Sequence, residues 1–234
     1  MHSVFRKIAA RFRRPSRLRY KILTIAGDLV SFDRREEILD CALSFVNHGK
    51  VAGDYLEFGV WKGGSLSVAY HLSRLRKGLT AMRFLGFDSF EGLPEIVGID
   101  ASTGEFKKGD YSASLDAVKG ALAKSGVDMK RLTLVPGWFD TSLTPVLRES
   151  LGLSHAAIVY IDCDLYESTV PVLEFITPLL ADGTILIFDD WFCYRGHPER
   201  GERKAFAEWS ARHHIEATPY KQFGWTGHSF IIHR

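Results

Sequence analysis

From residue 54 onward, short apolar runs alternate with stretches of helical periodicity five times in succession. The runs cover residues 54–58, 82–87, 132–135, 156–161 and 184–188. The helical stretches cover 65–75, 114–124, 142–150, 168–180 and 202–212. A strand followed by a returning helix brings the chain back to the same edge of a sheet, so the repeat predicts parallel strands with helices on both faces. Near-continuous apolar runs suit strands buried on both sides. Two more short runs, 217–222 and 229–233, close the sequence as a strand pair. The expected fold class is α/β: a doubly wound, seven-stranded, mostly parallel sheet whose last strand is antiparallel. Residues 33–47 add a helix with Asp33 as a possible N-cap and Gly49 as a stop. The chain divides into a basic arm and helical cap (1–49) and one α/β domain (50–234).

Two of the predicted strands stop on acids. Ile161 is followed by Asp162, Cys163 and Asp164, and Phe188 by Asp189 and Asp190. Open α/β sheets bind ligands at the carboxyl ends of their strands. Carboxylates gathered there repel one another unless a cation lies among them, and oxygen-only donor sets suit Mg²⁺ or a similar ion. Asp162, Asp189 and Asp190 are the expected ligands. Asp164 is expected either to face a substrate hydroxyl or to cap the helix that follows. Cys163 is given no chemistry, and His197, His213, His214 and His228 have no metal-ligand spacing.

The first turn reads Glu57-Phe58-Gly59-Val60-Trp61-Lys62-Gly63-Gly64-Ser65. Glycines after a strand let backbone approach a ligand closely, and the next helix opens with unpaired N–H groups. The spacing matches neither G-x-G-x-x-G nor the phosphate loop ending in Gly-Lys-Ser/Thr. It reads as a cofactor-facing turn or simply a tight strand–helix turn. Asp88 ends the second strand in Asp88-Ser89-Phe90-Glu91-Gly92-Leu93-Pro94. A carboxylate there accepts hydrogen bonds from ribose hydroxyls, and Gly-Leu-Pro argues against a helix cap. Trp138, following Gly137, is either an adenine wall or a core aromatic.

The net charge of +2 hides an asymmetry: eight basic residues and no acid fall within residues 1–21, leaving the remainder at −6. Val4, Phe5, Ile8, Ala9 and Phe12 lie at roughly helical spacing, giving a basic amphipathic segment. It suits a packed subunit arm, a phosphorylated partner or weak peripheral contact with an anionic membrane surface. Nucleic-acid binding is excluded by the acidic remainder. No run approaches the ~20 apolar residues of a membrane span. Cys41, Cys163 and Cys193 lack paired spacing, so the expected setting is reducing and cytoplasmic.

Together, Leu56-Glu57-Phe58-Gly59-Val60, Asp88-Ser89-Phe90-Glu91-Gly92-Leu93-Pro94, Gly137-Trp138-Phe139, Asp162-Cys163-Asp164-Leu165-Tyr166-Glu167-Ser168-Thr169 and Asp189-Asp190 resemble the macrocin O-methyltransferase family. The resemblance spans roughly residues 50–234. It implies a Rossmann-like class I methyltransferase domain that uses S-adenosyl-L-methionine (SAM) and Mg²⁺ or Mn²⁺ to methylate a hydroxyl of a sugar or glycoside acceptor. By this likeness Glu57, Gly59, Gly63, Ser65, Asp88, Ser89, Trp138 and Asp162 serve the cofactor. Asp162, Asp189 and Asp190 match the metal ligands, and Asp164 the general base. Homo-oligomers are also implied. Two other enzymes compete: a catechol-type O-methyltransferase, which would place a lysine where Leu165 stands, and a glycosyltransferase using Asp162-Cys163-Asp164 as a D-x-D. A non-enzymatic binding module gives the clustered acids no reason to be there.

Overall fold

The computed structural model describes residues 35–234. The basic arm therefore lies outside the described residues, as do Asp33 and every expectation attached to residues 1–21. The described elements begin with α1 (Arg35–Gly49), β1 (Asp54–Phe58), α2 (Gly64–Ser73), β2 (Phe84–Asp88), α3 (Leu115–Lys124) and β3 (Leu132–Pro136). They continue with α4 (Phe139–Ser142), α5 (Pro145–Ser150), β4 (Ala156–Ile161), α6 (Tyr166–Ile176) and β5 (Ile185–Phe188). The last three are α7 (Gly201–His213), β6 (Glu216–Phe223) and β7 (Gly227–His233).

Among the described residues seven strands form one sheet in the order β3-β2-β1-β4-β5-β7-β6. β1 pairs in parallel with both β2 and β4, while β7 runs antiparallel to β5 and to β6. This is the expected architecture, including the reversed last strand. All five residues of β1, all six of β4 and all four of β5 are buried. Each strand's side chains alternate between two faces. Tyr55, Phe84, Ile158, Tyr160 and Ile187 pack on one face with Leu39 and Leu43 of α1, Leu66 of α2 and Leu122 of α3. Leu56, Phe58, Phe87, Ile161 and Phe188 pack on the other with Leu173 and Ile176 of α6 and Trp209 of α7.

Helix α1 is thus part of the same core, because Ile38, Leu39, Ala42, Leu43 and Val46 form its buried stripe. The compact unit that holds the sheet begins at Arg35 and includes this helix. The single helix expected over 142–150 is two short ones. Pro145 has no N–H for an intrahelical bond, and Thr144 caps the new start by accepting from Leu147 N at 3.1 Å. The strand order turns back at β1 and β4, which opens a crevice at their carboxyl ends.

Candidate active site

That crevice holds a cavity of about 450 Å³. One wall is Gly59, Trp61, Asp88, Ser89, Gly137 and Trp138; the opposite wall is Asp162, Asp164 and Asp190, with Arg35 and Tyr111 also lining it.

On the first wall, Gly59 has φ +89°, and a Cβ there would lie 1.8 Å from the Asp162 carbonyl oxygen. Only glycine lets these two strand ends pass so closely. Asp88 then fixes the turn: Oδ2 accepts from Val60 N at 2.7 Å and Trp61 N at 3.0 Å, and Oδ1 accepts from Phe90 N at 2.7 Å. With about four lone-pair positions on a carboxylate, Asp88 keeps room for a further donor.

Glu57, Gly63 and Ser65, expected to serve the cofactor, stand outside the residues that line the cavity. Glu57 is fully buried behind the turn, accepting from Ser65 Oγ at 2.7 Å and Tyr55 Oη at 2.5 Å. Burial pushes its carboxyl up to about 7. Gly63, at φ +78°, has no space for a Cβ against the Leu122 side chain. These residues shape the turn from behind, because the strand's alternation aims Glu57 under the sheet.

On the second wall, Asp162, Asp164 and Asp190 bring carboxylate oxygens within 4.8 Å of one another. Burial first, and like charge second, push all three well above the ordinary carboxylate range. Asp190 Oδ2 is buried with no hydrogen-bond partner, an arrangement that a cation relieves. The all-oxygen donor set fits a hard divalent ion. Asp164 is held at φ +60°, a costly conformation for a non-glycine residue, and its carbonyl accepts from Tyr194 Oη at 3.1 Å. Trp61, Phe90 and Tyr111, beside the same cavity, also have positive φ. Trp61 and Tyr111 meet edge to face at 5.6 Å, and burial together with Asp164, Asp190 and Asp162 pushes the Tyr111 phenol up to about 12.

Asp189, expected among the ligands, is engaged elsewhere. Arg35 donates to it from Nε (3.0 and 3.1 Å) and Nη2 (2.6 Å), and Tyr160 Oη donates at 2.6 Å. Consecutive strand residues point to opposite faces, so Asp189 follows Tyr160 and Ile187 to the face that α1 covers. Asp164 takes its place in the carboxylate group. Three contributors escaped the sequence reading: Arg35, Asp100 and Glu202. Asp100 accepts from Tyr166 N at 2.7 Å and Gly201 N at 3.2 Å, joining the first residues of α6 and α7. Glu202 carries a first-turn acid signal, yet nothing local reveals that it turns inward.

Residues 23–230 match the family described as macrocin-O-methyltransferase (TylF). The 8-demethyl-8-(2,3-dimethoxy-α-L-rhamnosyl)-tetracenomycin-C 4′-O-methyltransferase of Streptomyces olivaceus is 32% identical over 174 residues, covering 72% of this chain and 64% of the relative. Mycinamicin III 3″-O-methyltransferase of Micromonospora griseorubida is 28% identical over 175 residues, covering 72% and 66%. The chain thus spans just under two thirds of the length of these relatives. Among solved structures, the calicheamicin methyltransferase CalS11 superposes with a TM-score of 0.70 at 25% identity, over 84% of this chain and 77% of that one.

Proposed function

This chain belongs to the macrocin-O-methyltransferase family, and on that premise we propose that it transfers a methyl group from SAM to a hydroxyl of a sugar or glycoside. The observation that carries this reading is that one cavity joins the Gly59–Asp88–Trp138 wall to the Asp162–Asp164–Asp190 wall. The name of the Streptomyces olivaceus relative, which acts on a rhamnosyl-bearing tetracenomycin, supports the acceptor class. The relatives' names also favour methyl transfer over the glycosyltransferase reading of Asp162-Cys163-Asp164.

Asp88 would accept one ribose hydroxyl on its remaining lone pair, and Trp138 would pack on the adenine. Asp162, Asp164 and Asp190 would hold a divalent cation. When bound, SAM supplies an electrophilic methyl group, and the cation makes an acceptor hydroxyl more acidic. Asp164, which lines the cavity, would take up the acceptor hydroxyl's proton on the carboxylate oxygen that does not hold the cation. Trp61 and Tyr111 would offer aromatic surfaces to the C–H face of a sugar ring. Cys41, Cys163 and Cys193 are free thiols. No helix among the described residues is long and apolar enough to cross a membrane.

The test is transfer of labelled methyl from SAM to a panel of glycosides and nucleotide sugars, with Mg²⁺ or with a chelator. Wild type should methylate a sugar hydroxyl, and chelation should abolish the reaction. Asp164→Asn should lower kcat by about 10²–10⁴-fold while SAM still binds. Transfer that survives chelation and the substitution would contradict the assignment.

A further inference from the structure

We propose that Glu202 is a positioning residue: its carboxylate clips the ends of β4 and β5 together and so sets the spacing of Asp162, Asp164 and Asp190. The inference rests on reading those three carboxylates as a cation site.

The paired register of β4 and β5 ends at Ile161 and Phe188. One more bond follows, from Asp189 N to Ile161 O at 2.9 Å, before the two chains part. The next donors, Cys163 N and Asp190 N, have left the ladder in a region shielded from water. Both go to Glu202: Cys163 N to Oε1 at 3.4 Å and Asp190 N to Oε2 at 3.0 Å. Cys163 is the residue between Asp162 and Asp164, and Asp190 is the third carboxylate itself. One side chain therefore replaces the missing rung between the two segments that carry the acidic group.

The placement of Glu202 is itself fixed. It is fully buried at the second position of α7; burial and the neighbouring aspartates push its carboxyl up, which the Cys163 amide and the helix N-terminus oppose. Gly201 N, just before it, is held by Asp100 Oδ1, so the helix start cannot slide freely along the strand ends. A glutamate contributes two acceptors in a fixed fork; glutamine keeps only one and turns an N–H against the other donor. Partners behind a metal's ligands orient them in this way, and their loss weakens binding without removing a ligand.

The experiment titrates Mn²⁺ into the full-length wild type, Glu202→Gln and Glu202→Asp, followed by calorimetry, with SAM affinity, thermal melting and amide exchange at Cys163 and Asp190 measured on the same samples. Glu202→Gln should lose about 10–100-fold in Mn²⁺ affinity, exchange faster at one or both amides, and keep its SAM affinity. A purely structural Glu202 would lower the melting temperature and leave the Mn²⁺ affinity of the folded protein intact, which would overturn the proposal. Should Glu202→Gln not fold, Glu202→Asp keeps both acceptors one methylene short and should show the same loss; wild-type affinity there would also overturn it. Wild type that takes up no Mn²⁺ would instead refute the cation site, a different failure from an unchanged variant.

Discussion

At the scale of single residues, the acids divide by what surrounds them. Asp162, Asp164 and Asp190 face one cavity and press on one another, whereas Glu57 and Asp189 are satisfied by neutral or cationic partners behind it. That the strand ends carry acids was legible, since each acid follows an apolar run. Which of two adjacent aspartates turns toward the cavity was not, because Arg35 reaches Asp189 across 154 positions of sequence. The place of Glu57 behind the turn was hidden for a related reason: a residue inside a strand points to one face of the sheet, and the motif does not say which.

Glu57 also makes a pH prediction. Burial raises its carboxyl from the ordinary 4.5 to about 7. Between those values the folded protein keeps a proton that the unfolded chain has released. Its contribution to stability is therefore complete below about pH 4.5 and is lost as pH rises through about 7. The slope is at most ~1.4 kcal/mol per pH unit. Glu57→Gln cannot lose that proton, so its melting temperature should fall less than wild type's between pH 5 and pH 8. Equal falls would show that Glu57 does not titrate there. The cavity carboxylates contribute in the same direction, so the variant should flatten the profile only in part.

At the scale of elements, the sequence was most informative where periodicity is strong. The five parallel strands, the terminal pair and the reversed last strand all follow from apolar runs, helical spacing and the absence of a crossover before β7. Short helices were less legible: Pro145 and Thr144 split one expected helix by local chemistry. The long irregular stretch between β2 and α3 gave no signal of its anchor, because Asp100 is recognisable only through its two helix termini. Asp100 is 2% exposed. Asp100→Ala should leave the Tyr166 and Gly201 amides without an acceptor and cost about 1–3 kcal/mol. Hydrogen exchange at those two amides should accelerate together with a lower melting temperature. Exchange unchanged at both would mean that other contacts hold α6 and α7 in place.

At the scale of the whole molecule, two layers of helices hold a sheet whose strand order reverses at β1 and β4, and the cavity opens at that reversal. The Gly59–Asp88–Trp138 wall comes from the turns after β1, β2 and β3, and the acidic wall from the ends of β4 and β5. Chain topology, more than any single motif, brings the two together. The central claim is that the wall built by Gly59, Asp88 and Trp138 receives SAM. The most direct measurement is calorimetric titration of SAM into wild type, Asp88→Ala and Asp164→Asn. The account predicts binding to wild type, its loss in Asp88→Ala and its retention in Asp164→Asn. Failure of wild type to bind SAM, or undiminished binding by Asp88→Ala, would contradict it.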